Sequence, residues 1–70
     1  MLIDEILKNI RKELSISQET LARDLNVSFA TLNRWENNRV KPSRLAKMRI
    51  REYCSTKKLS KEILSDINDI

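Results

Sequence analysis

The 70-residue chain contains no histidine and one cysteine. Histidine is the commonest general base near neutral pH, so its absence argues against most acid–base enzymes. Cys54 has no second cysteine for a disulfide and no histidine with which to share a metal ion. A buried structural thiol is the favoured interpretation, with a redox or metal role as the alternative. The sequence therefore predicts no enzymatic activity, no cofactor and no metal site.

Glycine is absent as well, and aromatic residues make up only 4% of the chain. With so few aromatics, stacking platforms for single-stranded nucleic acid or RNA are lacking. Ser15, Asn26 and Asn38 stand where turn glycines would be expected. Asparagine is the residue that, after glycine, most readily enters the left-handed region. We therefore predict that Asn26 and Asn38 end helices sharply.

Long apolar runs are missing too. No stretch approaches the roughly 18 apolar residues of a membrane span, and the amino terminus lacks a signal-peptide pattern. Seventy residues are near the lower limit for a chain that folds on its own core. These features predict one domain, residues 1–70, located in the cytoplasm and without a membrane partner.

Positive charge is concentrated in the second half of the chain. The net charge is +4, and the segment from Arg39 to Arg51 holds six basic side chains and no acidic one. Such one-sided clustering points to a polyanionic partner. A solvated helix face is the equally weighted alternative on charge alone.

Apolar spacing and capping serines predict five helices. Pro42 separates the third helix from the fourth because it cannot continue a helix. The predicted ranges are 3–14, 18–25, 29–37, 43–54 and 60–69. The fourth helix is expected to bury Leu45, Ala46, Ile50 and Tyr53. The last helix carries an apolar stripe that serves the core or, as the less favoured option, a dimer: Ile63, Leu64, Ile67 and Ile70.

The third predicted helix divides into two faces. Leu32 and Trp35 point toward the core, whereas the opposite face is largely polar. A short helix, a tight turn and a second short helix with a polar outer face form the helix-turn-helix design, here spanning about 18–37. Periodicity alone leaves an ordinary helical hairpin equally open.

The segment "LSISQETLARDLNVSFATLNRWENNRVKPS" adds motifs to this spacing. It contains S-Q-x-x-L-A, an apolar turn residue, a serine cap, W-E-N and a trailing K-P-S. These features resemble the phage-repressor and Cro-like (XRE) family over about residues 4–54. The resemblance implies an all-α, five-helix, lambda-repressor-like fold that binds double-stranded DNA.

The resemblance also implies residue roles. Four residues match base-reading positions: Phe29, Ala30, Asn33 and Arg34. Seven match phosphate-contacting positions: Gln18, Ser28, Asn37, Arg39, Lys41, Ser43 and Arg44. Helix capping is the alternative for Gln18, and packing against the second helix is the alternative for Phe29. Arg11 and Glu36 match the positions of a structural ion pair in relatives.

Together these features predict a sequence-specific transcriptional regulator, with a repressor favoured. One helix reads only a few base pairs, so a homodimer on a pseudo-palindrome is expected. A DNA-targeting or interaction module of a methyltransferase- or helicase-type enzyme, or of a toxin–antitoxin system, is the first alternative. A pure protein-interaction domain is the second, and it leaves the basic segment unexplained.

Overall fold

The computed structural model of the protein describes residues 2–70 as five α-helices without a strand. Every helix end lies within one residue of its predicted position. The all-α, five-helix fold is therefore confirmed. The helices are α1 (Ile3–Leu14), α2 (Gln18–Asp24), α3 (Phe29–Glu36), α4 (Arg44–Ser55) and α5 (Lys61–Asn68).

Serine side chains begin four of the five helices. Each of these hydroxyl oxygens accepts a hydrogen bond from the backbone N–H three residues further on, at 3.1–3.3 Å. Such a cap stabilises a helix by about 1 kcal/mol because it satisfies an amide that has no partner within the helix. The capping residues are Ser17, Ser28, Ser43 and Ser60.

Three non-glycine residues have left-handed backbone conformations at the connections. Ser15 has φ 55°, Asn26 has φ 59° and Asn38 has φ 56°. Asn26 follows the last turn of α2, and Asn38 follows the last turn of α3. The prediction that asparagine takes the place of glycine at these two turns is therefore confirmed.

The apolar core draws on all five helices. In α1 the buried positions recur at helical spacing, and α1 packs against both α3 and α5. In α5 the stripe is divided between two environments: Ile63 and Ile67 are buried, whereas Leu64 and Ile70 are partly exposed at the edge of the core. The stripe thus serves the core, which is the favoured of its two predicted uses.

The predicted inner face of α4 is wrong in one place. Leu45 is 64% exposed, although the sequence predicts it to be buried. The inner face follows positions four apart, with Ala46 partly buried and Ile50 and Cys54 fully buried. Leu45 is five residues before Ile50 and points away from that line because five residues correspond to about 1.4 turns. Tyr53 is only partly buried.

Candidate nucleic-acid interface

A tight turn holds α2 and α3 together. The backbone N–H of Asn26 donates to Arg23 O at 3.0 Å, and that of Val27 donates to Ala22 O at 2.9 Å. These two bonds satisfy carbonyls at the end of α2 that have no partner within the helix. Ala22 is 2% exposed, and its small side chain lets the neighbouring backbone come close. These contacts hold the end of α2 close to the start of α3.

The outer face of α3 projects into solvent. Leu32, Trp35 and Glu36 are buried on the inner side. On the other side Ala30, Arg34 and Asn37 are exposed, and Phe29 is 49% exposed. An apolar ring left half in solvent at the amino-terminal end of this helix is available for contact with a partner.

Asn33 lies on the same face but differs from its neighbours because protein partners occupy its amide. Its Nδ2 donates to Gln18 Oε1 at 3.1 Å, and its Oδ1 accepts from Asn37 Nδ2 at 2.8 Å. The three amides form a chain from the start of α2 to the end of α3. Because Gln18 uses its oxygen in this chain, its Nε2 group keeps two N–H donors for another partner.

Basic side chains and Ser43 follow the carboxyl end of α3 in the chain, and Ser28 caps its amino end. Arg39, Lys41 and Arg44 are exposed, and within the described part of the chain no ion pair neutralises any of them. The two serines of the predicted phosphate set differ. Ser28 Oγ both donates to Thr31 Oγ1 (2.8 Å) and accepts from the Thr31 N–H, whereas Ser43 Oγ only accepts from the Ala46 N–H. The Ser43 hydroxyl therefore remains able to donate.

The family model described as helix-turn-helix, of Cro/C1 (XRE) type, matches residues 7–50, which is more than half of the chain. The chain belongs to this helix-turn-helix family. It is accordingly a DNA-binding regulatory protein whose partner is double-stranded DNA. Comparison with curated proteins and with solved structures gives no match.

An ion pair ties the helix-turn-helix unit to α1. Arg11 Nε donates to Glu36 Oε2 at 2.9 Å, and its NH2 donates to Oε1 at 2.6 Å. This bidentate pair joins the last turn of α1 to the last residue of α3, and the hydrogen bond raises the pKa of Arg11 while burial opposes the rise. The side chain of Glu36 is 2% exposed and that of Arg11 is 27% exposed. The two charges are therefore unequally buried, which matters when either one is removed.

A second link across the fold is not predicted from the sequence. Tyr53 Oη in α4 donates to Asp24 Oδ2 at the end of α2, at 3.1 Å. Burial and this hydrogen bond raise the pKa of Tyr53 to about 12. The two residues are 29 positions apart, and no local pattern marks either of them. The bond connects α4 to the helix that supports the turn.

Among residues 2–70 no cluster of three metal-ligating side chains is present. Across the same range no helix has the length and apolar character needed to cross a membrane. Cys54 is fully buried, and burial raises the pKa of its thiol to about 11. A thiol in that environment is protonated and unreactive at neutral pH.

Proposed function

We propose that this protein is a sequence-specific transcriptional repressor that inserts α3 into the major groove of double-stranded DNA. The observation that carries the proposal is the exposed outer face of α3, which is followed in the chain by three exposed and unpaired cations, Arg39, Lys41 and Arg44. An α-helix fits the major groove, where each base pair presents a distinct pattern of donors and acceptors. A protein bound there blocks access to a promoter by occupying it, which is the simplest route to repression.

Three side chains of α3 read the bases. Arg34 has a free guanidinium, which pairs with guanine O6 and N7 through two parallel hydrogen bonds. Phe29 and Ala30 lie one turn earlier and offer apolar surface to thymine methyl groups. The base-reading surface thus consists of an apolar patch followed by an arginine guanidinium.

Phosphate contacts supply affinity and position the reader. Three residues contribute cations: Arg39, Lys41 and Arg44. Ser43 contributes a hydroxyl, and Ser28 contacts the phosphate backbone from the start of α3. Gln18 begins α2, where the helix end already favours an anion, and turns its Nε2 donors outward. Asn37 contributes the second N–H of its side-chain amide, since the first donates to Asn33.

Among the four residues that match base-reading positions, we assign Asn33 a positioning role instead. Its amide holds Gln18 in the orientation that presents donors rather than an oxygen. If Asn33 is replaced by aspartate, the side chain can only accept. Gln18 then has to turn Nε2 inward and its own oxygen toward the phosphate.

We expect Asn33→Asp to weaken binding to every duplex by about tenfold or more, because an acceptor and a new negative charge face the phosphate. Asn33→Leu, which has the same number of side-chain heavy atoms and the same branching without charge, should cause a smaller loss that is likewise equal on all duplexes. Fluorescence anisotropy with a preferred and a scrambled duplex measures both. A loss by Asn33→Leu confined to the preferred duplex would instead make Asn33 a base reader.

The salt dependence of binding tests the DNA interface as a whole. Each neutralised phosphate releases condensed counterions, so affinity falls as salt rises. With the three cations of the phosphate set, the slope of log K against log salt should be about −3 per protomer. A flat response, or no binding at low salt, would contradict the proposed function.

The short stretch of DNA that one α3 can read favours a homodimer. One α3 reads only a few base pairs, and two copies related by a two-fold axis read both halves of a pseudo-palindrome. We therefore include a homodimer in the proposed function.

A further inference from the structure

The outer face of α4 combines apolar and charged side chains that have no partner within the protomer. Leu45 is 64% exposed and Met48 is 54% exposed. Arg49 and Glu52 are exposed, and in the described part of the chain neither side chain forms a hydrogen bond or an ion pair. Residues three and four apart are neighbours on a helix, so these four form one contiguous surface, called here the α4 face.

We propose that the α4 face pairs with the α4 face of a second copy of this chain, in an antiparallel, two-fold symmetric contact. This inference rests on the proposed function, because the α4 face is the surface through which the proposed homodimer would form. In a two-fold contact every pairing occurs twice, so a face carrying one positive and one negative charge complements itself. Arg49 of each copy lies opposite Glu52 of the other.

This register also places the apolar side chains. When residue 49 lies opposite residue 52 of an antiparallel partner, residue 48 lies opposite 53 and residue 45 opposite 56. Those opposing positions line a shallow open cleft of about 360 Å³ between α4 and the α2–α3 turn. The other lining residues are Asp24, Leu25, Asn26, Arg49 and Glu52. Leu45 and Met48 of the second copy therefore lie against the part of the cleft formed by Tyr53 and Thr56, while Arg49 and Glu52 pair along its α4 wall.

The two alternatives for the α4 face are less well matched to it. DNA is an unsuitable occupant because Glu52 would face phosphate and two apolar side chains would gain nothing from the contact. A different protein would need to present the same alternation of apolar, positive and negative groups. A second copy supplies it without any further assumption.

Charge reversal in both directions provides the test. Arg49→Glu places two glutamates opposite each other in a homodimer, and Glu52→Arg places two arginines opposite each other. Each single variant should lower the dimer association constant by more than about tenfold. An equimolar mixture of the two variants should recover it, because both symmetric contacts then join opposite charges. Sedimentation velocity without DNA measures all three, and thermal melting checks that each variant is folded.

Lys61→Glu is the matched control. It makes the same charge change on an exposed position of α5 outside the α4 face, so it should leave dimerisation unchanged and should not restore the Glu52→Arg variant. Wild-type protein that stays monomeric up to about millimolar concentration, or single variants that dimerise like wild type, would overturn the proposal.

Binding to a single half-site separates this inference from the proposed function. If the α4 face is the dimer contact and α3 is the reader, Arg49→Glu should retain binding to one half-site and lose cooperative binding to two. A wild-type protein that fails to bind a single half-site would contradict the DNA-reading assignment alone. Unchanged cooperativity in Arg49→Glu would count against the α4 face alone.

Discussion

We expect Arg11→Met to lower the free energy of unfolding by about 3 kcal/mol, because it leaves the carboxylate of Glu36 buried without a counter-charge. Glu36 is 2% exposed and cannot recover its hydration without moving. For a domain of this size such a loss is a large share of the total stability. The melting temperature should fall by roughly 10–25 °C.

The opposite change should cost less. Glu36→Gln removes the negative partner but keeps a hydrogen-bond acceptor beside Arg11, whose side chain is 27% exposed and can regain water. Urea unfolding of both variants, with Lys8→Met on the exposed side of α1 as control, measures the difference. If Glu36→Gln proves as destabilising as Arg11→Met, unequal burial is not what sets the cost.

The second large effect distinguishes Arg34 from Arg44. Both arginines are exposed, but Arg34 lies on the outer face of α3 and Arg44 begins α4. We expect Arg34→Ala to lose about 1–3 kcal/mol of binding free energy on the preferred site and little on unrelated DNA. Arg44→Ala should weaken all duplexes alike and make the salt slope less negative by about one.

Competition between a selected site and a scrambled one measures this contrast. The preferred site is obtained first, by selection from random duplexes with wild-type protein. Uniform losses in both variants would mean that α3 does not read sequence. The alternative of a nonspecific DNA-targeting module would then describe the protein better than a repressor.

Much of the fold follows from short-range patterns in the chain. The serine caps and the spacing of apolar residues place all five helices to within one residue, because capping and helical periodicity involve residues only three or four apart. Cys54 is buried as its isolated occurrence in the chain predicts. The family match over residues 7–50 confirms the resemblance that "RDLNVSFATLNRWENN" and its flanks indicate.

The candidate site was less predictable in detail. The resemblance to the family implies that Asn33 reads bases. Its hydrogen bonds to Gln18 and Asn37 add a different role, which stays a proposal until the variants are measured. The bond between Tyr53 and Asp24 has no counterpart in the sequence pattern because it joins two helix ends that meet only after packing.

By itself the sequence determined where helices begin and end, which turns take left-handed residues and which chain segment is basic. Each of these depends on neighbours along the backbone and on the intrinsic conformational preferences of single residues. Tertiary structure alone decided that Leu45 faces solvent, that Glu36 is buried more deeply than Arg11, and that the amide of Asn33 is already occupied. Those outcomes depend on the rotation of each helix about its axis, which is set by the close packing of side chains from distant parts of the chain.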